Sequence, residues 1–444
     1  MTNLTNTKKY STSKFDLDGR PPLKEAIPLG LQHLLAMFIG NIVPMLLVSD
    51  VAGLDSSQRI LLMQCCMFGA SISTLIQLYP IKMGSYQIGA KLPVMLGLTY
   101  VFLPICISVA GQYGLGAIFG AQIVGGIVSI IFGLGLKKIR KFFPPVVTGT
   151  VVLSVGISLF STAITNLAGG ASSETFGSYT NWFVGVFVVC VVMFFSQFGK
   201  GLAKVSAILI GIVSGYILAL FFGMVDLSPI KDAAWFALPK PFAFGLEFRP
   251  DLIGIFIILY FIVAIQMVGD YSVSAMGGLD RQPTDNELSG GIIGNSVSSV
   301  ISAIINSFPT ATYSQNSGIV ALTKVSSRYV IAVGAAMLLI SGFCPKIGAL
   351  MSTIPQPVVG GGTLVVISMI ATSGINLVTM EKLTSRGMVI VGVSLAFGIG
   401  ITSAPDTIAQ FPEWFKMFIG KSAITIATII AFLLNMVFPK DEVE

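Results

Sequence analysis

Gln315 and Asn316 stand side by side in the run FPTATYSQNSGIVALTK, from Phe308 to Lys324. The run also carries Thr310, Thr312, Tyr313, Ser314, Ser317 and Thr323, in a chain that is otherwise a succession of apolar segments. A carboxamide offers N–H donors and a carbonyl acceptor and stays neutral, which suits bonding to the edge of a flat polar ligand. Pro309 at the front and Gly318 inside interrupt a helix. Interrupted backbone at membrane depth persists only beside a cavity or packed protein. The run therefore reads as an extended piece at a substrate site near the bilayer midplane, with freed backbone groups beside the two amides. A polar loop joining two spans is the plainer alternative.

Other polar side chains recur in apolar surroundings. His33, the only histidine, follows Gln32 in the first apolar segment and reads as a structural donor bracing the site rather than as a proton carrier. Gln266, Asp270 and Ser272 lie in AIQMVGDYSVSAMG. Gln266 and Asp270 are four residues apart and share a helical face. Asp270 is the one acid deep in an apolar segment, a candidate proton or cation site competing with the role of a hydrogen-bonded helix brace. Asn295 and Ser299, also four apart, extend the polar surface, whereas Lys324 and Arg328 read as anchors at the membrane edge. No cluster of His, Cys or paired acids is spaced for chemistry, so neither an enzyme nor a metal or other cofactor is expected. The five cysteines, Cys65, Cys66, Cys106, Cys190 and Cys344, read as small core residues outside any disulfide or metal site.

The elements that position these groups follow from composition. Hydrophobic residues make up 54% of the 444 and charged residues 10%, against roughly 25% charged in soluble domains. Spans of about 20 apolar residues recur along the chain, about fourteen in all. They fall near 27–49, 58–79, 88–110, 114–135, 143–165, 180–198, 203–225, 250–277, 288–308, 310–324, 329–343, 355–378, 385–403 and 419–439. The chain reads as an all-α polytopic membrane protein without a second, water-soluble domain. Its polar first 25 residues, with Lys8, Lys9, Lys14, Arg20 and Lys24, are not a cleavable signal and stay in the cytoplasm.

With that end inside, the inner joints collect Lys82, Lys137, Lys138, Arg140, Lys141, Lys200, Lys204, Arg281, Lys324, Arg328, Lys382 and Arg386. The outer joints hold Asp50, Asp55, Glu174, Asp406 and Glu413. This is the positive-inside pattern, mixed only around 226–251, and it returns the C-terminus to the cytoplasm. The net charge of +6 comes from these joints and gives no footprint for nucleic acid.

An internal echo organises the spans. PVVTGTVV at 145–152 resembles PVVGGGTL at 357–364, and each opens a span after a further proline, Pro144 or Pro355. The two spans are the fifth and twelfth, and an odd offset of seven means two oppositely inserted repeats. At nearly the same offset, the interrupted GAKLPVMLG of span three faces the interrupted FPTATYSQN of span ten. The layout is a tail (1–26), a first repeat (27–225), a connecting loop (226–249) and a second repeat (250–439).

Gln315-Asn316-x-Gly318 followed by Thr323-Lys324 resembles the signature of the nucleobase–ascorbate transporter family, also called nucleobase–cation symporters. Gln32-His33 resembles its glutamine–histidine pair. FFPPVVTG at 142–149, NLAGG at 166–170, SFPTATYSQNSG at 307–318 and PKIGAL at 345–350 look most like bacterial xanthine and uric acid permeases. The resemblance covers essentially the whole chain. It implies seven plus seven inverted spans, short broken strands in spans 3 and 10, a core domain (spans 1–4 and 8–11) and a gate domain (5–7 and 12–14). A homodimer and an elevator-like shift are implied too. By position, Gln266 and Gln315 contact the purine and Asn316 supports the site. A backbone amide at Tyr100 meets the ligand, flanked by Leu98, Thr99 and Ser314. Asp270, His33, Gln32, Asn295, Gly318 and Thr323 carry coupling or support. Purine permeases of the family usually have glutamate where Gln266 stands and an acid where Asn295 stands, so Asp270 becomes the best remaining coupling group. The expectation is a cell-membrane permease importing xanthine or uric acid with protons. The alternatives are a uracil-type, uncoupled or sodium-coupled carrier and, further off, a non-transporting sensor.

Overall fold

The computed structural model describes residues 14–84, 86–139, 144–171, 173–380, 382–412 and 423–439. Expectations that rest on Lys8, Lys9, Arg140, Lys141, Phe142, Phe143, Glu413, residues 419–422 and the C-terminus from 440 fall outside these residues.

Helices dominate. In chain order they begin with α1 (Leu23–Val51) and α2 (Ser56–Leu78), followed by the hairpin strands β1 (Ile81–Met83) and β2 (Tyr86–Ile88), then strand β3 (Leu96–Leu98). Next come α3 (Leu103–Tyr113), α4 (Leu115–Ile139), α5 (Pro145–Ser158), α6 (Phe160–Leu167), α7 (Tyr179–Phe198), α8 (Leu202–Val205), α9 (Ala207–Phe221) and α10 (Ser228–Asp232). The rest of the chain gives α11 (Pro250–Leu279), α12 (Asp285–Ile304), strand β4 (Thr310–Thr312), α13 (Ser314–Thr323), α14 (Arg328–Gly342), α15 (Pro345–Ser352), α16 (Gln356–Val378), α17 (Ser385–Ser403) and α18 (Ala423–Val437). Among the described residues, eight helices are long and apolar enough to cross a membrane, or nine if the pair α14–α15, bent by 82°, is one span. Leu103–Tyr113, Ala207–Phe221 and Ala423–Val437 are shorter apolar helices. The β1–β2 hairpin and α15 stand where the sequence reads as joints. Cys190 also departs from expectation, since it is exposed on α7 while Cys65, Cys66 and Cys106 are buried.

Local signals recur in pairs in the two parts of the chain. α2 and α12 both open on a capping box, in which a side chain and a backbone N–H three residues apart serve each other. Asp55 pairs with Gln58 in one, and Thr284 with Glu287 in the other. α5 and α16 both start after an extended proline, Pro144 or Pro355. The chain enters both broken spans through a left-handed residue, Lys91 (φ 58°) before β3 and Asn306 (φ 61°) before β4.

Two sets of helices pack together internally: α5, α6, α7, α9, α16, α17 and α18 in one, and α1 to α4 with α11 to α14 in the other. Small residues let α5 and α16 approach closely, as membrane helices commonly do. A Cβ on Gly374 would lie 2.4 Å from the Leu153 nitrogen, and one on Gly156 2.7 Å from Ala371. The segment ahead of α1 is tied down as well. Phe15 and Leu17 carbonyls accept from Ser326 and Arg328 N–H groups at 2.9 and 3.1 Å, and Gly19 carbonyl accepts from the Ser327 hydroxyl at 2.6 Å. Asp18 pairs with Arg328 and, at 3.6 Å, with Lys91.

Candidate functional site

The two interrupted stretches meet. β3 and β4 pair antiparallel with Leu96 opposite Thr312, Gly97 opposite Ala311 and Leu98 opposite Thr310. Thr99 N–H to the Pro309 carbonyl and Tyr313 N–H to the Met95 carbonyl, both 3.0 Å, lengthen the pairing at its two ends. Three-residue strands at membrane depth need every remaining backbone group satisfied, and polar side chains of neighbouring helices do this. Leu98 N–H donates to Asn41 Oδ1 at 2.9 Å, Leu96 N–H to Thr74 Oγ1 at 3.0 Å, and the Tyr313 hydroxyl to the Leu98 carbonyl at 3.2 Å. Gln77 pins the chain before β3 by accepting from Ala90 N–H at 2.8 Å while donating to the Gly291 carbonyl at 2.7 Å. Gln122 donates to the carbonyls of Ser299 and Ser307, at 2.9 and 3.0 Å, just ahead of β4.

Each strand runs on into a half-length helix, α3 or α13. The first-turn N–H groups of a helix lack intrahelical partners and carry its partial positive charge. Because the strands are antiparallel, these two helix starts leave opposite ends of the ladder. Beside the ladder lies a cavity of about 540 Å³, within the roughly 300–1,000 Å³ typical of small-molecule sites. Leu98, Thr99, Tyr100, Thr312, Ser314 and Gln315 form one wall with Gln266 of α11. Val152 and Val155 of α5, Gln197 of α7, Ile208 of α9 and Val365, Val366 and Ser368 of α16 face them from the other helix set. The Tyr100 hydroxyl is buried without a partner. The site thus offers two neutral amides and a hydroxyl without a partner among the described residues, against a wall that is aliphatic at Val152, Val155, Ile208, Val365 and Val366 and polar at Gln197 and Ser368. That arrangement recognises a planar, polar-edged, apolar-faced molecule.

Six of the residues singled out from sequence line the cavity: Leu98, Thr99, Tyr100, Gln266, Ser314 and Gln315. The Leu98 and Thr99 amides are already engaged, with Asn41 Oδ1 and with the Pro309 carbonyl. Others stand behind the wall. Asp270 Oδ2 accepts from the Thr312 hydroxyl and Oδ1 from the Ser314 hydroxyl, both at 2.6 Å, so the carboxylate reaches the cavity only through these two groups. Asn316 Nδ2 donates to the His33 carbonyl at 2.8 Å and lies 3.2 Å from the His33 ring, fastening α13 to α1. Asn295 Oδ1 accepts from Thr310 Oγ1 at 3.2 Å beneath β4. Gln32, Gly318 and Thr323 are not at the cavity. Thr323 bonds back to the Ile319 carbonyl, and Lys324 pairs with Asp280 at 2.8 Å. Asn41, Thr74, Gln77 and Gln122 escaped sequence reasoning. Their one signal was a polar side chain inside an apolar span, where an unpaired group is costly. Among the described residues no group of three His, Cys, Asp or Glu is arranged to hold a metal.

A second cavity, of about 1,200 Å³, lies at the end of α1 and the start of α7, around Asp50, Arg59, Asn181 and Gln356. Asp50 pairs with Arg59 and accepts from Gln356 across the two helix sets.

The architecture is similar to the transmembrane domain of the cyanobacterial bicarbonate transporter BicA. The TM-score is 0.59 at 16% identity, over 93% of this chain and 97% of that one, a likeness of fold alone. In sequence the chain is 34% identical to the uric acid permease PucJ of Bacillus subtilis over 418 residues, 92% of each protein. It is 30% identical to the xanthine permease XanP of Escherichia coli K12 over 447 residues, 96% of this chain and 95% of XanP. A sequence model described as "Permease family" matches residues 24–407, and the chain accordingly belongs to this permease family, the nucleobase–ascorbate transporters.

Proposed function

We propose that this protein is a secondary transporter that carries a purine base, xanthine or uric acid, through the cell membrane by proton symport. The observation that carries the reading is the meeting of β3 and β4 beside a cavity whose wall bears Gln266 and Gln315. Two discontinuous spans with inward-facing helix starts make a binding site of the transporter type. The amides of Gln266 and Gln315 each supply a donor and an acceptor, which matches the alternating N–H and C=O edge of an oxopurine. The relatives' names, a uric acid permease and a xanthine permease, point to the same ligands.

The rest of the reading follows the same supports. Fourteen spans in two inverted repeats agree with the paired capping boxes, the paired proline starts and the paired left-handed residues. The two helix sets are the candidate core (spans 1–4 and 8–11) and gate (5–7 and 12–14), and a cavity between them suits an elevator-type shift of one along the other. Basic joints favour cytoplasmic termini, and the family resemblance favours a homodimer. Asp270 is the coupling group in this scheme. Protonation of one Asp270 oxygen turns it from an acceptor into a donor toward the hydroxyl bonded to it, Thr312 or Ser314, both at the ligand wall, and so links proton occupancy to the shape of the site.

Uptake of labelled xanthine and uric acid into cells expressing the protein tests this. Saturable uptake that is abolished by Gln315→Ala, weakened by Gln266→Ala and sensitive to a protonophore is expected. Absence of purine uptake, or uptake indifferent to Gln315→Ala, rejects the reading. Initial uptake that survives collapse of the proton gradient favours an uncoupled carrier.

A further inference from the structure

The wall facing Gln266 and Gln315 is not uniform. Val152, Val155, Ile208, Val365 and Val366 give it an apolar part, whereas Ser196 and Gln197 of α7, with Ser368 and Thr372 of α16, give it a polar part lining the same cavity. Ser196 and Gln197 follow Met193 at i+3 and i+4, and Ser368 and Thr372 are four apart, so each pair lies on the helix face turned to the cavity. Polar side chains in spans face a cavity rather than lipid. The hydroxyls of Ser368 and Thr372 bond back to the carbonyls of Leu364 and Ser368, at 2.7 and 2.9 Å. Such back-bonding uses their protons and leaves lone pairs free to accept.

Gln197 is different. Its amide has no hydrogen-bond partner among the described residues, and it is exposed to the cavity from a helix whose other residues are almost all aliphatic or aromatic. It presents the same donor and acceptor pair as Gln266 and Gln315, from the opposite wall. Its position along the membrane normal is also fixed. The start of α7 contributes Thr180 and Asn181 to the far cavity, beside Asp50 near the end of α1. The other end of α7, with Gln197, therefore lies on the face where α1 begins.

We propose that Gln197, with Ser196 and the accepting hydroxyls of Ser368 and Thr372, forms a second base-binding subsite on the gate wall. It receives the purine as it leaves Gln266 and Gln315 toward the N-terminal face. This rests on the purine-transport reading above. A base bound there presents an edge to Gln197, so Gln197 discriminates between bases that differ in edge substituents and governs their release.

The test is uptake and exchange in proteoliposomes containing the full chain, with xanthine and uric acid as the probes and Gln315→Ala alongside. Gln197→Leu keeps the bulk and removes the amide. It is expected to change the ratio of xanthine to uric acid inhibition constants, or the exchange rate, by about 2- to 12-fold, the span of one net hydrogen bond. Gln197→Asn is expected to restore part of the change, which loss of bulk packing alone would not predict. An unchanged ratio and unchanged exchange in Gln197→Leu overturns the subsite; if that variant fails to fold, an unchanged ratio and exchange in Gln197→Met, which keeps the length and also lacks the amide, does the same. If the wild type transports purines and Gln315→Ala stops it while Gln197 variants are silent, only the subsite falls. If the wild type transports no purine, the functional reading falls and the subsite with it.

Discussion

Replacing Gly97 by alanine puts a methyl group into the tightest part of the strand crossing. Its Cβ would lie 2.6 Å from Met37 Cε, 2.6 Å from Tyr313 Cε2 and 2.9 Å from Asn41 Oδ1. The end of Met37 can swing aside. Tyr313 cannot do so freely, because its ring is buried and its hydroxyl holds the Leu98 carbonyl, and Asn41 is held by Leu98 N–H. Overpacking of this kind costs about 1–3 kcal/mol. Disturbing the two hydrogen bonds adds about 0.5–1.5 kcal/mol each, giving a total of about 2–6 kcal/mol. Any relief by sliding β3 displaces Tyr100, three residues on, from the cavity wall. Gly97→Ala is therefore expected to lower the detergent-solubilised melting temperature by several degrees and to abolish purine uptake in the fraction that still folds. Gly400→Ala in α17 is the control, since nothing lies within 4 Å of its added Cβ and alanine favours a helix by about 1 kcal/mol. A Gly97→Ala protein with wild-type melting and wild-type uptake would refute the close crossing of β3, Tyr313 and Asn41.

Three other outcomes are expected. Asp270→Asn preserves shape and lets each hydroxyl of Thr312 and Ser314 find a partner, so counterflow exchange should persist while accumulation against a gradient is lost; a mutant that still accumulates substrate contradicts coupling at this position. Asn316→Ala removes the side-chain donor to the His33 carbonyl, at a cost of about 0.5–1.5 kcal/mol, and should lower the melting temperature and weaken base binding without reordering a ligand panel; an unchanged melting temperature argues against the α1–α13 fastening. The Arg328 guanidinium bonded to Asp18 holds that carboxyl below its ordinary value. A depressed carboxylate contributes above its unfolded pKa of about 3.9 and loses that contribution as pH falls through the lower folded value. Hydrogen exchange of the Ser326 and Arg328 amides, which donate to the Phe15 and Leu17 carbonyls, should thus show constant protection from pH 8 to 5, once corrected for intrinsic rate, and loosening only below about pH 4. Loosening between pH 7 and 5 would contradict the ion pair.

Much of the site was legible because a membrane makes polarity expensive. The run from Thr310 to Asn316, Gln266 and Asp270 stood out against apolar surroundings, and each lies at the cavity or directly behind it. Sequence could not separate those two positions: Asp270 and Asn316 bond to neighbouring groups of the protein, while Gln315 and Gln266 line the cavity. That distinction depends on a few tens of degrees of helix rotation. The strand at 96–98 was anticipated only as a break somewhere in 89–97, since pairing register is set by partners more than 200 residues away. Asn41, Gln77 and Gln122 act on distant backbone for the same reason. The strap at Phe15–Gly19, bonded to Ser326–Arg328, has no periodicity that would announce it, and charge marked only a cytoplasmic tail. Gly318 and Thr323 belong to the family motif yet lie beyond the cavity lining, further along α13 from Ser314 and Gln315.

The central claim is that a purine lies between the β3–β4 ladder and the facing helix set. A structure of the protein with uric acid or xanthine bound tests it most directly. The account predicts ring density in the cavity lined by Tyr100, Gln266 and Gln315, with an amide of Gln315 on the base edge. Density instead in the far cavity around Asp50 and Gln356, with the Gln315 cavity filled by solvent, would contradict it.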